Sequence, residues 1–242
     1  MRWHKTVALA ALVAGASAPA LAQENDWKYQ ATVYLFTAET TQTVNGNEAI
    51  LSFSDALENL EGAFMGAFNA SNGKWTFIAD FMYTDVSLDG GTPGAAFSGV
   101  VADVTPLVIS GYALYRVHET PAAFIDVGAG FRYFDIDTTV TLTPGALPGR
   151  QTTVGDDWTD PVISLNAGFE LSDAWSSTLN LDYGSFVSDR ETYQLTLTFN
   201  YAFTENWVAR IGYRYMNVEN DGDGVDYSFE QSGPAIGISY RF

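Results

Sequence analysis

The sequence predicts an all-β protein, a closed antiparallel up-and-down transmembrane β-barrel of about ten strands. The first observation is the alternation along Tyr193–Phe203, where odd positions are apolar or aromatic and even positions are small or polar. Because side chains alternate across a strand, one face of this run would meet lipid and the other a polar interior. The run is about eleven residues long, the length that a tilted strand needs to cross a bilayer.

The second observation is an export signal at the N-terminus. A short basic start precedes a small, apolar run at residues 6–18, and Ala20–Ala22 fits the A-x-A cleavage pattern. We expect cleavage before Gln23, so that residues 1–22 form a signal peptide and residues 23–242 form the outer-membrane barrel domain. No later stretch approaches the ~20 continuous apolar residues of a transmembrane helix.

The third observation is the composition. The formal net charge is −18 at pH 7, and removal of Arg2 and Lys5 with the signal leaves the mature chain at about −20. Such an acidic chain disfavours nucleic acid as a partner. Aromatic residues are 14% and hydrophobic residues 47% of the chain, which is unlike a disordered acidic protein. Cysteine is absent, so disulfides do not stabilise the exported chain.

Strand-like runs follow one another along the mature chain, and the links between them alternate in length. Short, turn-like links such as Asn72–Gly73 and Thr204–Asn206 alternate with longer polar links. Outer-membrane barrels have this rhythm, with tight periplasmic turns, long extracellular loops and both termini in the periplasm. The runs are Trp27–Glu39, Gly62–Ser71, Lys74–Leu88, Ala102–His118, Ala122–Leu142, Trp158–Ser172, Ala174–Phe186, Thr192–Phe203, Asn206–Val218 and Tyr227–Phe242. The longer links are Thr40–Glu61, Asp89–Val101, Thr143–Asp157 and Glu219–Asp226.

Two segments leave alternatives open. In Val44–Leu60, the NGN sequence at residues 45–47 could close a protruding hairpin, and DALENL at residues 55–60 could form one helical turn. Eight or twelve strands therefore fit the pattern as well as ten. In the run near Leu107–Val117 the parity is ambiguous, because Tyr112 and Leu114 fall on the face that would line the lumen.

The aromatic residues are arranged as two belts. Tyrosines lie towards the opposite ends of the strands from four tryptophans, and amphipathic rings favour the two membrane–water interfaces. The alternative interpretation is that the aromatic residues fill the core of a soluble β-sandwich or barrel. The tryptophans, each near the start of a strand that leaves the expected periplasmic edge, are Trp27, Trp75, Trp175 and Trp207.

Several segments resemble a family of small, largely uncharacterised Gram-negative outer-membrane barrels, which are OmpW- and OmpA-like in architecture. The matching segments are FSDALENL (Phe53–Leu60), NGKWTFIADFMY (Asn72–Tyr83), DDWTDP (Asp156–Pro161), GYRY (Gly212–Tyr215) and the terminal GISYRF (Gly237–Phe242). The likeness covers most of the mature chain and implies a fold more than an activity. The alternating C-terminal strand, with Tyr240 and a terminal Phe242, resembles the signal recognised by the barrel assembly machinery.

The charged residues are predicted to divide between the lumen and the outer rim. An unpaired charge inside a narrow barrel would cost several kcal/mol, so the lumenal charges should interlock through ion pairs and hydrogen bonds and occlude the lumen. The competing interpretation is a narrow path for small cationic or hydrophobic solutes, lined by the same groups. The residues assigned to this network are Lys28, Asp80, Arg116, Asp126, Arg132, Glu170, Asp182, Arg210, Arg214 and Arg241.

Most remaining carboxylates fall in the predicted extracellular loops, which should give the rim a negative potential. The rim could capture divalent cations that bridge to lipopolysaccharide phosphates, or it could simply be solvated. The run Asn220–Asp226 is rich in aspartate, but it does not fit the EF-hand pattern because Val225 and Ser232 occupy ligand positions. We therefore assign no metal site and no cofactor.

Enzymatic activity is not expected. After signal removal the chain has one histidine, His118 beside a predicted periplasmic turn, and no cysteine, so the usual Ser-His and Cys-His arrangements are missing at the outer rim. The carboxylates of DDWTDP could form a catalytic pair, although this segment is better explained as a loop entering a strand at Pro161. The sequence thus predicts a monomeric, non-enzymatic barrel in contact with outer-membrane lipid and lipopolysaccharide. A lipid-modifying enzyme is the least favoured alternative.

Overall fold

The computed structural model describes residues 27–44, 47–92, 94–187, 189–221 and 227–242. The predicted signal peptide lies outside the described residues, as do the central residues 222–226 of the aspartate-rich run. Nearly all of the described chain is strand. The elements are β1 Lys28–Phe36, β2 Glu39–Val44, β3 Asn47–Leu51, α1 Phe53–Glu58, β4 Leu60–Ser71, β5 Trp75–Gly90, β6 Phe97–Thr120, β7 Ala123–Pro144, β8 Arg150–Glu170, β9 Trp175–Gly184, β10 Arg190–Ala202, β11 Trp207–Asn220 and β12 Tyr227–Arg241.

The sheet closes on itself. Each of the ten wall strands pairs with its neighbours in the order β1-β4-β5-β6-β7-β8-β9-β10-β11-β12, and β12 returns to β1. The closing pair is antiparallel, with Val33 opposite Ile238. The predicted closed antiparallel barrel of about ten strands is therefore confirmed. The strands β2 and β3 form the hairpin expected in Val44–Leu60, and β2 pairs with the part of β12 beyond the reach of β1.

The barrel has two unlike ends. At one end, here called the turn end, lie the start of β1, the end of β12 and the short connections between strands. Its turns are closed by side-chain caps: Asn72 Oδ1 accepts hydrogen bonds from the Lys74 and Trp75 N–H groups at 3.0 and 2.7 Å. The opposite end, here called the hairpin end, carries the longer connections. In outer-membrane barrels the short turns face the periplasm.

Two of the predicted polar links are wrong in most of their length. Residues 97–101 belong to β6, and residues 150–157 belong to β8, so β6, β7 and β8 reach 24, 22 and 21 residues. These strands exceed the roughly ten residues that a bilayer requires. The parts of β6 and β8 that were assigned to links lack the continuous apolar face of a membrane strand, but they contain β-branched residues such as Val100 and Thr152.

Successive side chains point alternately to the outer face and to the lumen, as the alternation in the sequence predicted. In β10 and β11 the odd positions point outward, and Leu197 and Ile211 are 37% and 58% exposed on the outer face. The even positions point inward, including the buried Gln194 and Arg214. The ambiguity in β6 is also resolved. Leu114 is fully buried in the lumen, while the outward positions of the same strand include the exposed Val117.

The single helix of the described chain, α1, is short and exposed. Its N-cap is Ser52, whose hydroxyl accepts a hydrogen bond from the Asp55 N–H at 3.2 Å. This helix matches the helical turn expected from DALENL. Among the described residues, no α-helix has the length and apolar character needed to cross a membrane.

The opposite orientation of neighbouring residues gives a direct test of the barrel. Thr196 lines the lumen in the middle of β10, whereas Leu197 lies on the outer face. Because the chain has no cysteine, Thr196→Cys and Leu197→Cys each create a single thiol. In lipid vesicles, we expect a small, charged maleimide to label Thr196→Cys and to leave Leu197→Cys unreacted. The reverse labelling pattern would contradict the assigned faces.

Candidate functional site

A buried arginine organises the middle of the lumen. Arg132 on β7 is fully buried, and its guanidinium Nη2 donates to Asp182 Oδ2 on β9 at 2.8 Å. The remaining N–H groups donate to Ser110 Oγ and Thr192 Oγ1, each at 3.1 Å. Tyr112 accepts from Arg132 Nη2 at 2.9 Å and donates to Asp182 at 3.0 Å. The Arg132 charge is thus paired and its donors are used, whereas Asp182 Oδ1, 2.8 Å from Arg132 Nη2, makes no hydrogen bond of its own among the described residues.

A second arginine holds the opposite side of the lumen. Arg214 Nη2 on β11 lies 3.3 Å from Asp80 Oδ1 on β5, and Arg214 Nη1 donates to Tyr34 Oη at 2.9 Å. Tyr34 in turn donates to Asp80 Oδ2 at 2.9 Å. Gln194 joins the two halves, because its Oε1 accepts from Arg214 Nη2 at 2.6 Å and its Nε2 donates to Asp182 at 3.3 Å.

These side chains form one network across the barrel, which we call the charge layer. It consists of Tyr34, Asp80, Tyr112, Arg132, Asp182, Gln194 and Arg214, from seven different strands. A glycine makes room for it. A Cβ at Gly130 would lie 2.9 Å from Tyr112 Cδ1 and would also collide with the Gly111 carbonyl oxygen. We infer that Gly130 allows the Tyr112 ring to lie across β7 and reach its partners.

An apolar layer fills the lumen on the hairpin side of the charge layer. At its centre, the Phe134 and Trp158 rings stack with centroids 4.9 Å apart, and the Phe229 ring meets Phe134 edge-on at 6.0 Å. The two layers touch, since the Arg214 guanidinium lies over the Phe36 ring at 5.5 Å. The buried members of the apolar layer are Phe36, Ala38, Met65, Met82, Val108, Phe134, Ile136, Trp158, Met216, Val218 and Phe229.

A polar cavity fills the lumen on the turn side of the charge layer. This basal cavity has a volume of about 600 Å³ and extends from Asp80 and Asp182 to the exposed rim residues Lys28 and Arg241. Hydroxyl and amide side chains cover most of its wall. The inner end of the cavity is lined by charge-layer residues, among them Tyr34, Asp80 and Arg214.

One further ion pair stands on the cavity wall. Arg116 Nε forms a short ion pair with Asp126, and Thr76 Oγ1 donates to the other carboxylate oxygen at 3.1 Å. The same guanidinium lies 4.2 Å from the centre of the Phe124 ring and 3.2 Å from the exposed carboxylate of Glu119. The charge of Arg116 is thus neutralised by Asp126, and its guanidinium is held against the Phe124 ring.

All ten residues assigned to the lumenal network lie in the lumen, but they do not all pair. Three ion pairs form, Asp80 with Arg214, Arg116 with Asp126, and Arg132 with Asp182. The other four form no ion pair in the part of the chain that the structure describes, although Arg210 and Arg241 are hydrogen-bonded to Ser239 and Gln30. Within the described residues, no ion pair reaches Lys28, Glu170, Arg210 or Arg241. All four line the basal cavity, and Lys28, Glu170 and Arg241 are exposed at its rim, where water can solvate a charge.

The residues predicted for the membrane boundary lie at the turn end. Trp75, Trp175 and Trp207 are exposed on the outer face at the first residues of β5, β9 and β11. Trp27 precedes β1 and stacks on Phe77 with centroids 5.9 Å apart. Tyr240 and Phe242 also point outward, and the Phe242 N–H donates to the Tyr29 carbonyl at 3.0 Å.

Sequence reasoning missed two sets of lumenal residues. The first is the tyrosine pair: Tyr112 falls on the predicted lumenal face but was not assigned to the charge network, and Tyr34, at an even position of β1 like Lys28, was not assigned to the lumen. The second is the apolar layer, because apolar inward positions such as Phe134 and Met216 look like ordinary lipid-facing residues when the strand register is unknown. A count of parity from each turn would have found both sets.

The possible catalytic groups are far apart. His118 is exposed at the turn end. The segment Asp156–Pro161 lies in the middle of β8, so its interpretation as a loop entering a strand is wrong. Asp156 and Asp160 are four residues apart on one face of this strand, about 13 Å. Asp160 is buried, accepts a hydrogen bond from the Trp158 indole at 3.0 Å and lies 3.6 Å from Arg190.

No protein-family model and no curated protein sequence matches this chain. Solved structures do match. The outer membrane protease OmpT from Escherichia coli superimposes with a TM-score of 0.62 at 10% identity, covering 93% of this chain and 99% of that one. The translocator domain of the autotransporter NalP from Neisseria meningitidis gives 0.46 at 14% identity over 91% and 90%. Ail from Yersinia pestis, in complex with a heparin analogue, gives 0.41 at 12% identity over 89% and 98%.

The structures that share this fold are small Gram-negative outer-membrane β-barrels. At such low identity the likeness establishes the fold alone. The chain is therefore an outer-membrane type of β-barrel, in agreement with the predicted architecture and with a place in the outer membrane.

The buried ion pair predicts a large loss of stability when one partner is removed. Arg132→Met would leave the Asp182 carboxylate buried without its cation, and we expect the free energy of unfolding to fall by about 3–5 kcal/mol. Glu119→Gln, which removes an exposed partner of Arg116, should cost less than about 1 kcal/mol. Urea unfolding in lipid vesicles measures both. Equal losses for the two variants would contradict the assigned burial.

Proposed function

We propose that this protein is an integral barrel of the Gram-negative outer membrane whose lumen is closed to solute flow and whose role is not enzymatic. The observation that supports the closed lumen is the apolar layer. It places eleven buried apolar residues across the tube between the basal cavity and the hairpin end. A narrow apolar constriction excludes water, and an ion crossing it would lose its hydration without gaining a partner.

The charge layer, on the turn side of the apolar layer, also supports a closed lumen. Its two arginines are held by carboxylate, tyrosine and amide groups on opposite walls, so they bridge the lumen instead of lining a path along it. A channel for small cationic or hydrophobic solutes, the alternative function, would have to open both layers. The basal cavity reaches only the first of them.

We also propose that the barrel has no enzymatic activity. His118 lies at the turn end, outside the basal cavity, and the chain has no cysteine. At the hairpin end, Asp156 and Asp160 are about 13 Å apart along β8. Asp135 and Asp157 stand opposite each other on β7 and β8, but the residues that the structure describes place no histidine beside them. The shared fold with a protease does not bear on this point, because the identity is only 10%.

We further propose that the barrel is a monomer in contact with outer-membrane lipid and lipopolysaccharide. The outer face supports this, since apolar side chains such as Phe131, Phe199 and Ile211 are each about half exposed around the wall. The outward, C-terminal Tyr240 and Phe242 are the groups that the assembly machinery would meet during insertion. The net charge of −18 disfavours nucleic acid.

Conductance across a planar bilayer tests the closed lumen. We expect the wild-type barrel to give no steady openings. Because both layers close the lumen, Phe134→Ala with Phe229→Ala is combined with Gln194→Ala, which removes the link between the two halves of the charge layer. This variant should produce small openings, since both constrictions become wide enough to hydrate. The matched control is Phe131→Ala with Phe199→Ala, which removes two rings from the outer face and should stay silent. Steady, large openings of the wild-type protein would overturn the proposal.

Two assays test the absence of enzymatic activity. Mass spectra of lipid A from cells with and without the protein should be identical, and a mixed peptide library incubated with the refolded barrel should remain uncut. Loss or transfer of an acyl chain would instead indicate a lipid-modifying enzyme. Cleavage of the peptides by the barrel but not by an Asp160→Asn variant would indicate a hydrolase at the hairpin end.

A further inference from the structure

We propose that the basal cavity binds a small oxyanion, meaning a solute with a phosphate or carboxylate group, on the wall formed by β11, β12 and β1. Arg210 is the central contact, with Arg241 and Lys28 beside it. All three side chains line the cavity. The proposal does not depend on whether the apolar layer conducts, because the cavity is entered from the turn end.

Arg210 is held in place but not neutralised. Its Nε donates to Ser239 Oγ at 2.7 Å, which draws the guanidinium towards the turn end. Ser239 is itself fixed, since its hydroxyl shares a 2.8 Å hydrogen bond with Thr32 Oγ1. Within the described chain, no other hydrogen bond and no ion pair involves the Arg210 side chain. Its terminal nitrogens are therefore left to face the cavity, in the fork that suits an oxyanion.

Two more cations extend the same surface. Arg241 lies two residues beyond Ser239 on the inner face of β12, and its charge acts on Arg210. Its Nε is 3.5 Å from Gln30 Oε1, and Gln30 is the residue opposite it on β1. Lys28 lies two residues before Gln30 on β1, nearer to the turn end. The like charges of Arg210 and Arg241 repel each other, and a bound anion would relieve that repulsion.

The wall around these cations carries no carboxylate from its own side chains. Inward positions of the turn-end half of β10, β11, β12 and β1 are otherwise neutral in the described chain, apart from Arg214, which Asp80 already neutralises. The acidic groups of the cavity stand elsewhere. Asp126 is occupied by Arg116, and Glu170 lies at the rim of β8, on the opposite side of the cavity from β1 and β12. An anion on the β11–β12–β1 wall thus meets three cations on that wall, and the one unpaired acid among the described cavity residues stands across the lumen.

Neutral donors and the size of the space complete the site. Asn206, Asn200 and Gln30 line the cavity near the three cations. The volume of about 600 Å³ accommodates a ligand much larger than phosphate itself. The chemistry of the wall thus selects an oxyanion with a polar body, supplied from the periplasmic side.

Titration calorimetry on the refolded barrel in a neutral maltoside detergent tests the site, with inorganic phosphate and citrate as probes. We expect saturable binding of at least one probe by the wild-type protein. Arg210→Gln should weaken it at least about tenfold, because a hydrogen-bonded charge pair is lost. The matched control is Arg150→Gln at the hairpin end, where the arginine is exposed and outside the cavity. This variant should bind as the wild type does.

The comparison of probes separates the two anion classes, since binding of phosphate alone points to phosphorylated solutes and binding of citrate alone points to carboxylates. Heat-modifiable mobility on gels confirms that each variant is folded. If Arg210→Gln does not fold, Arg241→Gln together with Lys28→Gln, both at the exposed rim, carries the test and should reduce affinity in the same way. No saturable binding by the wild type, or equal affinity in the folded cavity variants, would overturn the proposal.

Discussion

Closure of the sheet between β1 and β12 is the constraint from which the rest of the structure follows. Once Val33 and its neighbours pair with β12, every wall strand has a partner on both sides, and the backbone can cross the hydrocarbon with its polar groups satisfied. The pleat then leaves each side chain only two destinations, lipid or lumen. An odd position such as Ile211 meets lipid, and the even position Arg210 beside it meets the interior. Side chains in the lumen must therefore fill a narrow space and pair their charges, whereas side chains on the outer face only need to be apolar.

The lumen is filled by layers of side chains that differ in polarity. Deep charges such as Arg132 are fully buried and have several partners each, whereas charges near the mouth, such as Arg241, rely on water. The apolar layer needs no partners and fills the space by ring stacking and methionine packing. Gln194 is central to this order, because an amide can accept from one arginine and donate to the carboxylate of the other. Neither a charged nor an apolar side chain could join both halves.

The sequence predicted the fold far better than the site, for a physical reason. Period-two alternation is local, so the membrane strands and the lumenal position of residues such as Arg132 and Asp182 could be inferred from a few neighbours. Pairing is not local. Asp80 and Arg214 are 134 residues apart, and their contact depends on the shear of the whole barrel. The first residues of β6 and the outer half of β8 were missed because they stand in water, where no lipid-facing residues mark a strand.

The distribution of charge along the barrel axis follows from the same geometry. Six of the nine lysines and arginines after residue 22 lie in the lumen, although the chain as a whole is strongly acidic. The acidic excess must then lie outside the lumen, and the hairpin end carries much of it: Asp135 stands directly opposite Asp157 on the exposed part of β7 and β8. Such like-charge neighbours are tolerable only in water, since burial would remove the screening. The barrel therefore has a negative potential at its hairpin end and a positive wall inside its turn end, with the apolar layer separating the two.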